Sequence, residues 1–188
     1  MKGNIFLLNS NSTVERLSVL YKDSGFVSYS DAYYSDFKII NGAGITAINS
    51  AITVKNCIIM PDPYIFENAK FGKAIQVWNL YGSQDISPAI ENNLILNADT
   101  GIYLFSQAFG GAILGEIRNN TLDLNRYGIV IRMHKEKPLI RDNEIINSIN
   151  AVHITYEDGT LLQERLNNIV NNTFSGNTDD IWCDELGE

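Results

Sequence analysis

Gly101-Ile102-Tyr103-Leu104, followed by Ile117-Arg118-Asn119-Asn120-Thr121-Leu122, carries the pattern that decides the fold. It returns as Gly128-Ile129-Val130-Ile131 with Ile140-Arg141-Asp142-Asn143-Glu144-Ile145. A third copy pairs Ala151-Val152-His153-Ile154 with Ile169-Val170-Asn171-Asn172-Thr173-Phe174, and Asp180-Ile181-Trp182-Cys183 opens a fourth. Each unit is a short apolar-alternating strand, a loop, and an apolar phrase turning at paired asparagines. A unit this short cannot bury its own apolar face, so the copies must stack on one another.

Working outward, the N-terminal stretch joins the same series. Asn4–Val14 overlays Gly44–Val54, and Glu15–Val19 overlays Lys55–Ile59. Ser12 and Glu15 also fit a capping box opening a helix through Tyr21. The overlay is longer than a four-residue motif, so the expectation is a strand. Equivalent rungs are then Ile5, Ile45, Ile75, Ile102, Ile129, Val152 and Ile181, at steps of 40, 30, 27, 27, 23 and 29 residues. Extra length falls in Tyr21–Lys38, in Pro61–Lys73, and after first strands at Leu80–Ser87, Ser106–Gly115 and Glu157–Glu164. Loops on a repeat scaffold are where binding concentrates.

Strand alternation assigns the faces. Ile5/Leu7, Ile45/Ala47, Ile75/Val77, Ile102/Leu104, Ile129/Ile131, Val152/Ile154 and Ile181/Cys183 point inward. So do Val14, Val54, Ile90, Ile117, Ile140 and Ile169 in the second strand, and Val19, Ile59, Ile95, Leu122, Ile145 and Phe174 after the turn. Between them Asn93, Asn120, Asn143 and Asn172 fall in register, as residues that tolerate a left-handed corner and can hydrogen-bond the copies above and below. Leu17 and Cys57 stand there in the first two coils and should break the ladder.

This pattern resembles the right-handed parallel β-helix of pectate-lyase-like proteins, from Ile5 to Cys183. The resemblance implies an all-β solenoid of about six coils, a rod of roughly 29 Å, short beside that family's enzymes. It says little about activity, because the scaffold hosts lyases, hydrolases, epimerases, tailspikes and adhesion modules. The paired aspartates with Gly-His-Gly and Arg-x-Lys of polygalacturonase-like enzymes have no counterpart here, nor does the Asp-Pro-His run of alginate epimerases. Enzyme status stays open on the sequence.

The bulk composition narrows the partners. A chain of 188 residues, 45% apolar and 19% charged, fits one domain over 1–188. A net charge of -8 disfavours nucleic acid and anionic membranes. No run is long enough to span a bilayer, and Ile5–Leu8 is too short for a signal-peptide core, so localisation stays unassigned. Cys57 and Cys183 lie near opposite ends of the stack and are expected to be buried, unpaired and unmetallated. No cofactor is expected; Asp23, Asp31 and Asp36 share a loop without calcium-site spacing. The rod should lack a conventional N-terminal cap, which suggests a segment of a longer β-helix, a small descendant of one, or a homo-oligomer.

Function must then lie on the outward faces. The second-strand column of Glu15, Lys55, Glu91, Arg118, Arg141 and Val170 should be a solvated charge ladder. The first sheet is different. Its outward columns are Phe6, Thr46, Gln76, Tyr103, Val130, His153, Trp182 and Leu8, Ile48, Trp78, Phe105, Arg132, Thr155, Asp184. So apolar a face implies covering loops, a protein partner, or sugar rings stacked on Trp78, Tyr103, Phe105 and Trp182 with Gln76 beside them. The expected function is polysaccharide recognition by this face. The alternatives are a structural or assembly module, and a lyase or hydrolase. Any chemistry would fall to Arg132, His134, His153 and Glu157, with His134 beside Glu157 as an acid/base pair and Arg132 holding a uronate.

Overall fold

The computed structural model describes residues 4–21, 26–29, 37–40, 43–61, 72–80, 83–107, 110–132, 138–155 and 166–184. The first coil is β1 (Ile5–Leu8), β2 (Thr13–Glu15) and β3 (Ser18–Tyr21). An antiparallel pair, β4 (Phe26–Tyr29) and β5 (Phe37–Ile40), stands in the long insertion expected to be loop alone. The second coil is β6 (Ile45–Ile48), β7 (Thr53–Lys55) and β8 (Ile58–Pro61). The third is β9 (Lys73–Asn79), β10 (Ala89–Glu91) and β11 (Leu94–Leu96). The fourth is β12 (Thr100–Ser106), β13 (Glu116–Arg118) and β14 (Thr121–Asp123). The fifth is β15 (Tyr127–Arg132), β16 (Leu139–Arg141) and β17 (Glu144–Ile146). The sixth is β18 (Asn150–Thr155), β19 (Ile169–Val170) and β20 (Thr173–Ser175), and β21 (Asp179–Cys183) begins a seventh.

These strands form one seven-stranded and two six-stranded parallel sheets. The fold is a right-handed parallel β-helix. The seven rungs pair in unbroken register from Ile5 to Ile181. The second- and third-strand columns align as expected, Val14 to Ile169 and Val19 to Phe174. Residues 13–15 and 18–21 are strands, so the capping-box helix does not form. Stacked Ile, Val and Leu fill the interior with no exposed surface through the middle coils, each contributing about 2 kcal/mol.

The glycine or alanine before the five inner rungs (Gly44, Ala74, Gly101, Gly128 and Ala151) has a steric cause. A Cβ on Gly128 would lie 2.4 Å from the Ala151 carbonyl oxygen and 2.6 Å from Ile145 Cγ2. Neighbouring coils approach too closely there for a larger side chain.

The asparagine corner divides its labour between two adjacent residues. The left-handed residues are Arg16, Asn56, Asn92, Asn119, Asp142 and Asn171, one position before the expected column. Asn93, Asn120, Asn143 and Asn172 instead carry the hydrogen-bond ladder. The Asn120 Oδ1 accepts from the Asn93 N–H at 3.0 Å and from Asn93 Nδ2 at 2.9 Å, while Asn120 Nδ2 donates to the Ile90 carbonyl at 2.9 Å. The ladder ends where expected. Asn93 Oδ1 accepts the Cys57 N–H, and Cys57 passes nothing further through an amide. Cys57 is buried as expected, but Cys183 is only partly so, because no described coil stacks beneath it; both are free thiols.

A second corner, unexpected from the sequence, separates the third strand from the next rung. Asn97, Leu124, Asn147 and Gly176 are left-handed there. The Ala98 N–H donates to Asn125 Oδ1 and the Ser148 N–H to Asn177 Oδ1, each at 2.9 Å.

Candidate ligand-binding face

Along the second sheet, ion pairs join Lys55 to Glu15, Arg118 to Glu91 and Arg141 to Glu116. Arg118 and Arg141 are neighbours of like charge, and Glu116 contacts both. Its hydrogen bond holds the half-buried Arg141 guanidinium further toward the charged form, with help from Asp142. This is the solvated ladder of the sequence reading, and such exposed pairs add little each.

Beyond β1, where Phe6 and Leu8 are exposed, the first-sheet outer face divides into a closed half and an open half. In the second to fourth coils it is covered. Gln76 has no exposed surface, and Trp78 and Phe105 retain 9% each. Ile48, Trp78, Leu80 and Phe105 form a second apolar cluster on the outside of the sheet, with Tyr103 packed against it. Trp78 and Phe105 rings lie 4.6 Å apart at a tilt, and Tyr103 stacks nearly parallel to Phe105 at 6.5 Å. The amide of Gln76 is engaged: Nε2 donates to Thr46 Oγ1 at 2.7 Å and Oε1 accepts from Trp78 Nε1 at 3.2 Å. Gln76 and Trp78 therefore present almost nothing to a ligand. Among the expected explanations for the apolar face, covering accounts for this half.

The open half is at the C-terminal end. Trp182 on β21 is 46% exposed, the largest exposed ring on this face. Its indole Nε1 donates to Asp184 Oδ1 at 3.1 Å, and His153 Nε2 lies 2.9 Å from the same oxygen. His153 sits beside Trp182 in strand register, and its ring lies 5.4 Å from Tyr127. With Asp184 as acceptor, the imidazole carries its proton on Nε2 and turns Nδ1 away from the carboxylate. An exposed ring, an oriented imidazole and a carboxylate are thus joined on one edge of the sheet.

The imidazole–carboxylate pair is His153 with Asp184. The expected His134–Glu157 pair lies outside the described residues, as do Asp23, Asp31 and Asp36. Arg132 is exposed, pairs with Thr155 in register as anticipated, and holds its guanidinium 5.8 Å from the Phe105 ring centroid. Sequence reasoning placed His153 and Asp184 in separate outward columns and did not join them. Their diagonal step between adjacent strands was the available signal.

At the start of the same strands sits a charged group that sequence reasoning missed. Lys73 lies 4.7 Å over the Tyr103 ring, and Arg126 lies 3.5 Å from Asp99. Burial lowers the Lys73 pKa against the opposing pull of Asp99. Burial likewise raises that of Asp99, against Arg126 and Lys73. Both shifts record a low-dielectric rim rather than a strong ion pair.

Among the described residues no three His, Cys, Asp or Glu side chains converge as metal ligands. No helix among them is long and apolar enough to cross a membrane. No family model matches the chain, and neither a curated protein nor a solved structure matches it.

Proposed function

We propose that the protein recognises carbohydrate through the open C-terminal half of its first-sheet face, with Trp182 as the stacking ring. The observation that supports this most directly is the fixed exposure of that ring. Its indole N–H is tied to Asp184, and Asp184 is tied to His153. An apolar ring face bordered by polar groups suits a pyranose, whose C–H surface is apolar and whose hydroxyls point outward. Tyr103, Arg132 and Thr155 border the same face, and Arg132 would favour a uronate carboxylate at that edge. Membership of the pectate-lyase-like superfamily is part of this proposal, supported by the asparagine-turn phrases and the uninterrupted rungs.

The test is a glycan array probed with the wild-type protein and with Trp182→Ala. Binding to one glycan class, reduced at least tenfold by the substitution with the melting temperature unchanged, is the expected result. Equal binding by both proteins would remove Trp182 from the site.

A second reading, assembly through protein contact, is favoured by a different observation. Val170, Ile181 and Trp182 are all exposed apolar residues on the last turn of the rod. A concentration-dependent oligomer that Trp182→Ala dissociates, with no glycan bound, would favour that reading.

A further inference from the structure

At the other end of the molecule an open cleft of about 590 Å³ lies where the first strands turn toward the second sheet. Asn9 and Asn49 stand one above the other along one wall, with Asn11 beside them; Ser83, Gln84 and Asp85 form the other wall. Ala51 and Ile86 supply its apolar lining. Both walls are held by backbone. Asn9 and Asn49 are left-handed at φ 47° and 48°, and their N–H groups donate to the Ile48 and Trp78 carbonyls at 3.0 and 2.8 Å. Ile86 bridges to Ile113, and Asp85 Oδ1 accepts the Ala112 N–H at 2.8 Å. Asn49 Oδ1 accepts the Leu80 N–H at 2.8 Å, which aims the rest of that amide.

What these walls leave unused is informative. The carboxamides of Asn9, Asn11 and Gln84, the Nδ2 of Asn49 and the Oδ2 of Asp85 have no hydrogen-bond partner among the described residues. A carboxamide offers two donors and an acceptor, and a sugar hydroxyl is both donor and acceptor, so paired amides match paired hydroxyls. Among the described residues that line the cleft there is one carboxylate and no cation, and the chain carries a net charge of -8. Uronates and phosphates are therefore disfavoured. A peptide would look for a hydrophobic groove or an arginine cluster, and the described lining offers neither.

We propose that this cleft is a second, separate sugar site, taking a neutral, hydroxyl-rich oligosaccharide through Asn9, Asn11, Asn49, Gln84 and Asp85. The proposal rests on the carbohydrate reading of the protein. It does not rest on Trp182, which lies four coil steps below β9, roughly 19 Å away.

Isothermal titration with cellohexaose, mannohexaose and oligogalacturonate tests it, on wild type, on Asn11→Ala/Gln84→Ala and on Trp182→Ala. The side chains of both residues are exposed and make no hydrogen bond among the described residues, and the Gln84 carbonyl that accepts from Asn79 Nδ2 is kept in alanine, so the melting temperature should equal that of wild type. The expected result is a neutral hexasaccharide bound by wild type and Trp182→Ala alike, with Kd raised at least tenfold in the double variant. Unchanged binding by the double variant overturns the cleft, and loss in Trp182→Ala then leaves the stacking site standing. Equal affinity for oligogalacturonate overturns the neutral assignment, and equal competition by a neutral hexapeptide overturns the sugar assignment. Binding of no sugar by any protein overturns both sites.

Discussion

At the scale of single residues, the corners of this solenoid show which side chains suit a left-handed backbone and which are merely tolerated. Asn97, Leu124, Asn147 and Gly176 occupy one corner in successive coils, all at positive φ. Asparagine and glycine bear that conformation well, but leucine strains its Cβ against the following carbonyl. Leu124 is also 55% exposed, so it gains little from packing. Leu124→Asn should stabilise the protein by about 1 kcal/mol, read as a raised midpoint in urea with an unchanged m-value. Unchanged or lowered stability would mean that Leu124 makes a contact worth more than the strain. The neighbouring ladder residues are constrained differently, by their amides rather than by their backbone. One asparagine in each pair turns the chain, and the next one bonds it to the coils on either side. From the sequence, the pair was visible as a unit and the division of labour was not, because both residues are asparagine in three of the coils, at 92–93, 119–120 and 171–172.

At the scale of elements, the ladder couples the coils more tightly than strand pairing alone. Asn120 sits at its centre with every amide group occupied: it accepts from Asn93, and donates to the Ile90 carbonyl and to Asn143 Oδ1. Asn120→Ala would remove the acceptor of the Asn93 N–H, one of the two bonds that Asn93 Nδ2 donates (the other, to the Val54 carbonyl, remains), and the amide donor to the Ile90 carbonyl, all in a buried setting. At about 1–3 kcal/mol for each such group, a loss of about 3–5 kcal/mol is expected after partial relaxation. Chemical denaturation measures this, and a cost below about 1 kcal/mol would show that water enters the gap. Asn172, at the open end of the ladder, has one neighbouring coil fewer, so Asn172→Ala should cost less than Asn120→Ala. The strands were legible because their apolar positions alternate and recur in phase. The antiparallel pair β4–β5 was not, because it stands in one insertion and has no repeat to be compared with.

At the scale of the whole molecule, stability should vary along the rod. A solenoid is held by contacts between neighbouring coils, so a coil with one neighbour is weaker than one with two. The inward residues of the middle coils are buried, whereas Ile169, Phe174 and Cys183 of the last turn are only partly so and Ile181 is exposed. Amide exchange should therefore be slowest over residues 89–123 and fastest over 169–183. Uniform protection would show that something covers the last turn, and would favour the assembly reading. The same gradient separates the two halves of the first-sheet face. Its covered half has become a second small core around Trp78, while the half that keeps an exposed ring lies on the least buttressed turn.

The sequence alone determined the rungs, their register and which residues point inward, down to Ile5 over Ile45 and Phe174 under Ile145. It could do so because side-chain direction in a strand alternates locally, and stacking only repeats that local fact from coil to coil. Tertiary structure decided which outward residues remain available. Trp78 and Trp182 stand in neighbouring columns of the same sheet, with equal claims on the sequence, yet one is buried and the other is open. It also decided that Asp184 joins His153 and Trp182, and that Asn9, Asn11, Asn49 and Gln84 line one cleft. Burial and side-chain pairing depend on where distant segments pass and on which rotamers meet across coils, and no repeat in the sequence encodes either.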